Sequence, residues 1–332
     1  MDIGLTLPNR GVMLDIVTAS ELIRMAEVAE ESGGFRSLWV GDSLLGKPRL
    51  ESVSLLSAIA ARTERVRLGV ACMASFVIRD PILFAYQWAS LDVIAEGRTI
   101  FVGCTGIIGQ EGGQKEAEQY GVSNRDRALR LEEWTQLLRR LWTEDNVTFE
   151  GDYFQCSGVT IEPKPIAKPH PPIWIASNTF GSPKLVARSL ERVARYADGW
   201  ETSICRVDEL QNRFAGIRER TANNDRDPDS MVFHLYHNIN VNKDRDVALA
   251  ETKAFLDRYY SRDHPVEWVQ CWTAAGTPRQ CAEHLAKYAA LGVEEITIRA
   301  TSADQFGQLD TIVNDVLPLV REMQSSGDGD AS

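Results

Sequence analysis

Ser177-Asn178-Thr179 is the segment of this chain whose residue types best fit ligand binding. It follows residues 173–176, a four-residue apolar run that is typical of a strand buried on both faces. Small hydroxyl and amide side chains beside open backbone N–H groups suit a phosphate or a sugar-like tail, and they suit a turn equally well. Ser182 then provides the expected N-cap of a helix that begins with proline, and the positive end of that helix would favour an anion.

Two histidines, His234 and His237, lie on a predicted strand over 231–241 and raise the question of a metal site. Side chains three residues apart on a strand point to opposite faces, so these two rings cannot share one ion. The same alternation places Asn238 and Asn240 on the face of His234, where they could contact a substrate or form a polar layer. The pattern favours a site without metal.

Six cysteines are spread along the chain without a C-x-x-C pair, at Cys72, Cys104, Cys156, Cys205, Cys271 and Cys281. Structural zinc sites need closely spaced thiolate or imidazole ligands, which this spacing does not provide. We therefore expect the cysteines to be buried thiols that pack as small apolar side chains.

Strand-like and helix-like segments alternate along the chain. The eight predicted strands are mainly apolar rather than alternating, and they lie at 2–7, 37–41, 65–73, 98–103, 173–176, 197–203, 231–241 and 294–300. Each is followed by helical periodicity, which predicts a single α/β domain, a (β/α)8 (TIM-type) barrel over residues 1–324. A β-excursion at 146–163 precedes strand five, residues 261–276 look irregular, and 325–332 are expected to be a disordered tail. An open doubly wound sheet is the alternative, but no G-x-G-x-x-G follows the first strand.

Residues that bind ligands in such barrels lie at the carboxyl ends of the strands. Those ends hold Asp42-Ser43 after strand two, Met73-Ala74-Ser75 after strand three, Cys104-Thr105-Gly106 after strand four and 177–179 after strand five. Small residues at the end of strand four would let a flat ring approach the backbone. We expect these four segments to converge on one cleft.

The overall composition narrows the class of partner. The 332 residues carry a net charge of −11, with 44% hydrophobic and 25% charged residues and no Lys/Arg-rich run. This acidic balance argues against nucleic acid or an anionic membrane as the main partner. No apolar run approaches the roughly 20 residues that span a bilayer, and the first residues lack the features of a signal peptide. These features predict a cytoplasmic protein.

Several fragments at or near the strand ends occur in the order and spacing of one known family. They are "SLWVGD", "VRLGVACMASFVIRDPILFAYQWASLDVIAEGR", "RALRLEE…LRRLW", "VTFEGDYF", "KPHPPIWIAS" and "VARYADGW". Together they resemble the bacterial luciferase-like superfamily over about residues 2–300. The resemblance implies a (β/α)8 barrel that uses a flavin or a deazaflavin. It also implies cofactor contacts from Ala74, Ser75, Thr105, Gly106, Ala176, Ser177, Asn178 and Thr179.

The resemblance carries further expectations about the site. Many relatives have a non-prolyl cis peptide bond in the bulge that corresponds to 73–75, and a polar-acidic pair where this chain has Gln110-Glu111. Relatives usually carry an acidic residue followed by histidine after strand two, and that histidine is often a proton donor. Serine follows the acidic residue here, so the catalytic residue is open, and the candidates are Asp42, Ser43, Asn238 and Asn240.

From the resemblance we expect an FMNH2- and O2-dependent monooxygenase of a small organic substrate, a homodimer that receives reduced FMN from a separate flavin reductase. The alternative is hydride transfer with the deazaflavin coenzyme F-420, and a non-catalytic flavin-binding protein is a third interpretation. The choice depends on charge, because F-420 continues past its phosphate into a polyanionic glutamyl tail that favours a basic groove. Near strand five only Lys184 and Arg188 would lie at the catalytic end, which favours FMN.

Overall fold

A computed structural model describes residues 1–106 and 111–327. Its strands are β1 (Asp2–Leu7), β2 (Ser37–Val40), β3 (Arg67–Val70), β4 (Thr99–Gly103), β5 (Val147–Glu150), β6 (Gln155–Val159), β7 (Ile173–Ala176), β8 (Gly199–Thr202), β9 (Val232–Val241), β10 (Thr273–Gly276) and β11 (Glu295–Ala300). Its helices are α1 (Ala19–Glu31), α2 (Ser52–Ala60), α3 (Pro81–Ile94), α4 (Glu111–Tyr120), α5 (Asn124–Thr143), α6 (Pro183–Tyr196), α7 (Val207–Asn223), α8 (Arg245–Tyr260), α9 (Val266–Cys271), α10 (Pro278–Ala289), α11 (Gln305–Thr311) and α12 (Leu317–Gly327).

The strands follow one another in the main sheet in the order β10-β9-β11-β1-β2-β3-β4-β7-β8, and β8 also pairs with β9. The strand pairs of this sheet whose register is defined are parallel. A pairing that returns from the last strand to an earlier one is the closure of a barrel, and the strands β1, β2, β3, β4, β7, β8, β9 and β11 correspond to the eight predicted ones. The predicted (β/α)8 barrel is confirmed.

Two segments differ from the sequence-based expectation. Residues 261–276, expected to be irregular, contain α9 and β10, and β10 pairs with the second half of β9 from Thr273 opposite Asn238 to Gly276 opposite Val241. A six-residue helix is too short to show helical periodicity, and the small residues of "TAAG" carry little strand propensity. The last helix extends to Gly327, and residues 328–332 of the predicted tail lie outside the described residues.

The chain forms two compact units. The first unit comprises residues 1–39, 202–216 and those from 232 onward, and the second comprises 40–201 and 217–231. Within the described residues no helix is both long enough and apolar enough to cross a membrane.

An aromatic cluster forms the core of the second unit. Phe101 of β4 lies at its centre, with ring centroids 4.7 Å from Phe76, 5.3 Å from Phe84, 5.3 Å from Trp88 and 6.4 Å from Trp142. All five side chains are buried. Edge-to-face packing of this kind adds to the free energy of burial and fixes α3 and α5 against β4.

Helix caps define where the helices of the second unit begin. Asp80 accepts a hydrogen bond from the N–H of Leu83 at 2.8 Å and precedes Pro81, the first residue of α3. Ser123 and Asp126 form a reciprocal capping box at the start of α5. Such caps satisfy backbone donors that have no partner within the helix, so they set the register of each helix on the sheet.

The predicted β-excursion is a hairpin of β5 and β6 that is held to α5. The carboxylate of Glu133 accepts hydrogen bonds from the N–H groups of Asp152 at 2.9 Å and Tyr153 at 3.1 Å. The Tyr153 hydroxyl donates to Asp126 at 2.9 Å. These contacts hold the "EGDYF" string against α5 within a single chain.

In the first unit the alternation of β9 separates the two histidines as predicted. His234 stacks on Trp39 with ring centroids 4.5 Å apart and lies 3.8 Å from the carboxylate of Glu295. His237 contacts His284 of α10 instead, with 2.8 Å between the two Nε2 atoms. Burial and the neighbouring imidazole hold the pKa of His237 well below its usual value. The described residues contain no cluster of three or more potential metal ligands.

We expect Asp92→Asn to destabilise the fold. Asp92 is fully buried and accepts hydrogen bonds from the Thr99 hydroxyl at 2.5 Å and from the N–H of Ala167 at 2.9 Å, which tie α3 to β4 and to the segment before β7. The asparagine side chain places an NH2 group where one carboxylate oxygen accepts, so one of these two donors loses its acceptor. The loss costs about 1–3 kcal/mol of stability. Chemical denaturation of this variant and of the exposed control Asp315→Asn measures the difference, and equal stabilities would contradict the structural role.

Candidate functional site

The carboxylate of Asp42 joins the end of β2 to the segment that follows β3. Its Oδ2 atom accepts a hydrogen bond from the N–H of Ser75 at 2.6 Å, and its Oδ1 atom accepts one from the Ser52 hydroxyl of α2 at 3.0 Å. Both oxygens are therefore engaged, one by a backbone N–H group and the other by a side-chain hydroxyl. Asp42 positions the loop at Ser75, and this arrangement does not support its candidacy as a proton donor.

Gly106 brings the end of β4 against the loop after β3. It has a left-handed backbone with φ of +75°, and a Cβ atom placed on it would lie 2.9 Å from the carbonyl oxygen of Ala74 and 2.8 Å from Arg127 Nη1. Glycine is the residue that tolerates both the positive φ and the close approach. The predicted proximity of Ala74 and Gly106 is thus present in the structure.

A buried ion pair that the sequence did not reveal supports this corner. Arg127 Nη2 lies 3.3 Å from the Glu116 carboxylate, and Arg127 Nη1 donates to the carbonyl oxygen of Thr105 at 3.4 Å. The other oxygen of Glu116 accepts from the N–H groups of Leu45 at 3.0 Å and Gly46 at 3.3 Å. The pair thereby connects the loop after β2, the end of β4 and both α4 and α5. Arg127 therefore has a structural role.

Cys72 and Cys104 form a disulfide between the residues that follow β3 and β4. This corrects the expectation that all six cysteines are free thiols, and the reason is that adjacent parallel strands bring the two residues together.

The non-prolyl cis peptide bond lies at Ala71–Cys72, immediately before the predicted segment 73–75. Of the predicted polar-acidic pair, Gln110 lies outside the described residues and Glu111 is the first residue of α4.

The end of β7 provides hydroxyl groups, but fewer open N–H groups than its sequence indicates. The N–H of Ser177 donates to the carbonyl oxygen of Glu201 in β8 at 3.0 Å, and the Ser177 carbonyl accepts from Trp200 Nε1 at 3.1 Å. The hydroxyl oxygens of Ser177 and Thr179 lie 3.5 Å apart. Ser182 caps α6 as predicted, since it accepts from the N–H of Leu185 at 3.4 Å.

A cleft of about 640 Å³ runs from Thr105 and Thr179 onto the facing surfaces of α5 and α6. The charged residues that line it are Arg125, Arg188, Arg192, Arg195, Glu132 and Glu191. Four cations less two anions leave a charge of +2 in a chain whose net charge is −11. The cleft joins the predicted cofactor segments after β4 and β7 to a basic surface.

The arginines of the cleft differ in their partners. Arg192 pairs with Glu132 at 2.9 Å, and Arg195 pairs with Glu191 at 3.3 Å. Arg125 and Arg188 are exposed, and neither has an ion-pair partner within the described residues. These two guanidinium groups are therefore available to an anionic ligand.

The other catalytic candidates also make structural contacts. The Ser43 hydroxyl accepts a hydrogen bond from the N–H of Lys47 at 3.0 Å. In the first unit, Asn238 donates to the Trp272 carbonyl at 3.0 Å and accepts from Arg299 at 2.8 Å. Asn240 donates to Glu251 and to the Thr301 carbonyl, both at 3.0 Å. Each amide is used within its own unit as part of a polar layer.

Comparison with known proteins places this arrangement in a family. The profile of the family described as luciferase-like monooxygenase matches residues 1–295, which is most of the chain. The chain belongs to this family and is an oxidoreductase. It is 28% identical to an F420-dependent glucose-6-phosphate dehydrogenase of Nocardia farcinica, over 91% of this chain and 94% of the relative. It is 26% identical to the enzyme of the same name from Mycobacterium tuberculosis, again over 91% and 94%.

Solved structures show the same fold. Monooxygenase RslO1 from Streptomyces bottropensis superposes with a TM-score of 0.80 at 21% identity, covering 96% of this chain and 99% of that one. An F420-dependent secondary alcohol dehydrogenase, solved with an F420-acetone adduct, superposes with a TM-score of 0.80 at 17% identity and the same coverage. At these identities the likeness establishes the barrel and not the reaction.

We expect Gly106→Ala to disturb the site more than an equivalent glycine substitution elsewhere. Gly121→Ala is the matched control, because Gly121 also has a positive φ, of +61°, but a Cβ there would meet nothing within 4 Å. The control should lose about 1 kcal/mol of stability from backbone strain. The Gly106 variant should lose at least twice as much, because Ala74 or Arg127 must also move. Urea denaturation compares the two, and equal losses would show that the corner is not tightly packed.

Proposed function

We propose that this chain is a coenzyme F420-dependent oxidoreductase that transfers a hydride between the deazaflavin and a small alcohol or its carbonyl partner. The observation that carries the proposal is the net positive cleft beside the ends of β4 and β7. The expectation of FMN rested on two cations near strand five, Lys184 and Arg188. The cleft adds Arg192 and Arg195, which follow Arg188 on α6, and Arg125, which lies on α5.

Charge is the feature that distinguishes the two cofactors at this cleft. FMN ends in a phosphate, which the hydroxyls of Ser177 and Thr179 beside the α6 N-terminus would suffice to bind. The deazaflavin coenzyme continues into an anionic glutamyl tail, which gains from a cationic surface beyond the phosphate. The unpaired Arg125 and Arg188 suit such a tail, since exposed guanidinium groups bind carboxylates in a bidentate manner.

The relatives support the same choice. The full-length relatives at 26–28% identity are named as F420-dependent glucose-6-phosphate dehydrogenases, and one of the structural neighbours is an F420-dependent alcohol dehydrogenase. A monooxygenase is also among the neighbours of the fold, at 21% identity. The deazaflavin alternative therefore has more support than FMNH2-dependent oxygenation.

The residues at the strand ends fit a flat cofactor. Gly106 and Ala74 pack directly against each other, and Thr105 beside them lines the cleft, which is where a ring could approach. We assign the ring to this corner and the phosphate to the hydroxyls of Ser177 and Thr179, with Ala176 and Asn178 beside them. When bound, the deazaflavin would supply the hydride chemistry, and the protein would supply orientation and exclusion of water.

The hydroxyls after β7 provide the first test of this assignment. Ser177→Ala and Thr179→Ala should each weaken binding of reduced F420 about tenfold, because each loses a hydrogen bond to a charged phosphate of roughly 1.5 kcal/mol. Thr143→Ala removes an exposed hydroxyl from the far end of α5 and should leave the Kd unchanged. Fluorescence titration measures the dissociation constant of each of the three variants. Unchanged affinity in both Ser177→Ala and Thr179→Ala would show that the phosphate binds at another place.

The arginines of the cleft provide the second test. Arg125→Ala and Arg188→Ala should each weaken F420 binding about threefold at low salt, and both together about tenfold, as exposed ion pairs contribute modestly. The effect should fade as salt screens the charges. Arg36→Ala, at an exposed arginine of the other unit, is the control.

A shortened coenzyme that ends at its phosphate separates the tail from the rest of the cofactor. Its affinity should be the same in the wild type and in the double arginine variant. Tight binding of FMNH2, together with F420 binding weaker than about 100 μM, would overturn the proposal. If the arginine variants lost binding of both F420 and FMNH2, the two arginines would be needed for folding rather than for binding the tail.

A further inference from the structure

Cys205 and Cys271 bring two thiols into contact in the first unit. Cys205 lies in the turn between β8 and α7, and Cys271 is the last residue of α9. Cys271 packs against the apolar cluster that contains Cys205, and the two thiols lie within interaction distance of each other. Cys205 is buried, whereas Cys271 is half-buried. One thiol is therefore reachable from solvent, and the other lies directly behind it.

The backbone on both sides of this thiol pair is held in place. The Tyr288 hydroxyl of α10 donates to the carbonyl oxygen of Cys205 at 3.0 Å. Trp272, which follows Cys271, donates its indole N–H to the Tyr236 carbonyl at 2.7 Å and its backbone N–H to the Trp268 carbonyl at 2.9 Å. The contact between the two thiols is thus a property of ordered elements on both sides.

Charged groups around the pair favour a thiolate on Cys271. The interaction with the Cys205 thiol, followed by the charges of Lys287 and Arg206, lowers the pKa of Cys271 to about 7, while burial and Asp208 oppose this shift. The same interaction, together with burial, raises the pKa of Cys205. Lys287 is anchored, with its Nζ atom 4.7 Å from the Tyr288 ring centroid. The half-buried Cys271 is therefore the more nucleophilic member of the pair at neutral pH.

We propose that Cys205 and Cys271 are a redox-active thiol pair, a modification site in which Cys271 is the nucleophile, Cys205 is the resolving thiol and hydrogen peroxide is the oxidant. The Cys271 sulfur attacks one peroxide oxygen, so that an S–O bond forms, the O–O bond breaks and hydroxide leaves as water. The Cys205 sulfur then attacks the Cys271 sulfur, forming the S–S bond and expelling a second water with the Cys205 proton. The two sulfurs lose two electrons in total, and the peroxide gains them.

Oxidation would link the turn after β8 covalently to the α9–β10 junction. None of the residues involved lines the cleft described above, so the thiol pair and the coenzyme can be tested independently.

The test treats the intact wild-type protein at pH 7 with one equivalent of hydrogen peroxide, blocks the remaining thiols by alkylation and maps the unreduced peptides by mass spectrometry. We expect a cross-linked peptide joining Cys205 to Cys271. Cys156 is the matched control, because it is also a half-buried free thiol, but its Sγ atom contacts the Val147 carbonyl rather than a second thiol. Oxidation of Cys156 to an equal extent, or recovery of both Cys205 and Cys271 as thiols, would overturn the proposal.

Alkylation kinetics give a second readout that needs no variant. At pH 7 iodoacetamide should modify Cys271 about tenfold faster than Cys156, and equal rates would count against the proposal. Among variants, Cys205→Ser should accumulate a dimedone-reactive sulfenic acid on Cys271, whereas Cys271→Ser should yield no such adduct at Cys205. Lys287→Gln should slow alkylation of Cys271, and Cys156→Ser should leave both the rate and the cross-link unchanged.

Discussion

The buried ion pair between Arg127 and Glu116 is the interaction on which the rest of the candidate site depends. Arg127 is fully buried, and one guanidinium reaches both the carboxylate and the Thr105 carbonyl. The carboxylate in turn holds two N–H groups of the loop after β2. Removing one partner of such a pair typically costs about 3–5 kcal/mol, because the other charge remains buried without compensation. The ends of β2 and β4 are therefore fixed by one electrostatic unit.

A basic cleft in an acidic protein is an informative arrangement. The protein as a whole carries a net charge of −11 and repels anions, whereas the local excess of arginine in the cleft attracts an anionic ligand. The two glutamates of the cleft orient two of the arginines and leave the other two open. Under the proposed function, discrimination between cofactors would depend on the length and charge of the tail more than on the ring.

The fold could be predicted from the sequence because its barrel strands are mainly apolar and its helices begin with strong caps such as Asp80-Pro81 and Ser182-Pro183. The opposite faces of His234 and His237 followed from strand geometry alone. The disulfide at Cys72, the ion pair of Arg127 and the grouping of Arg125 with Arg192 could not be predicted, since each needs contacts between elements far apart in sequence. One signal was available: Arg188, Arg192 and Arg195 recur at helical spacing, which places them on one face of α6.

The disulfide between Cys72 and Cys104 also acts on the unfolded chain. In the folded state Met73 already pairs with Gly103, so the covalent bond adds little to the alignment of β3 and β4. In the unfolded state it closes a loop of sequence separation 32 that contains all of α3. Loops of this size restrict the unfolded ensemble by about 3–4 kcal/mol in chain-entropy accounts. Oxidised and reduced samples therefore unfold to different reference states, and their melting temperatures describe two different equilibria.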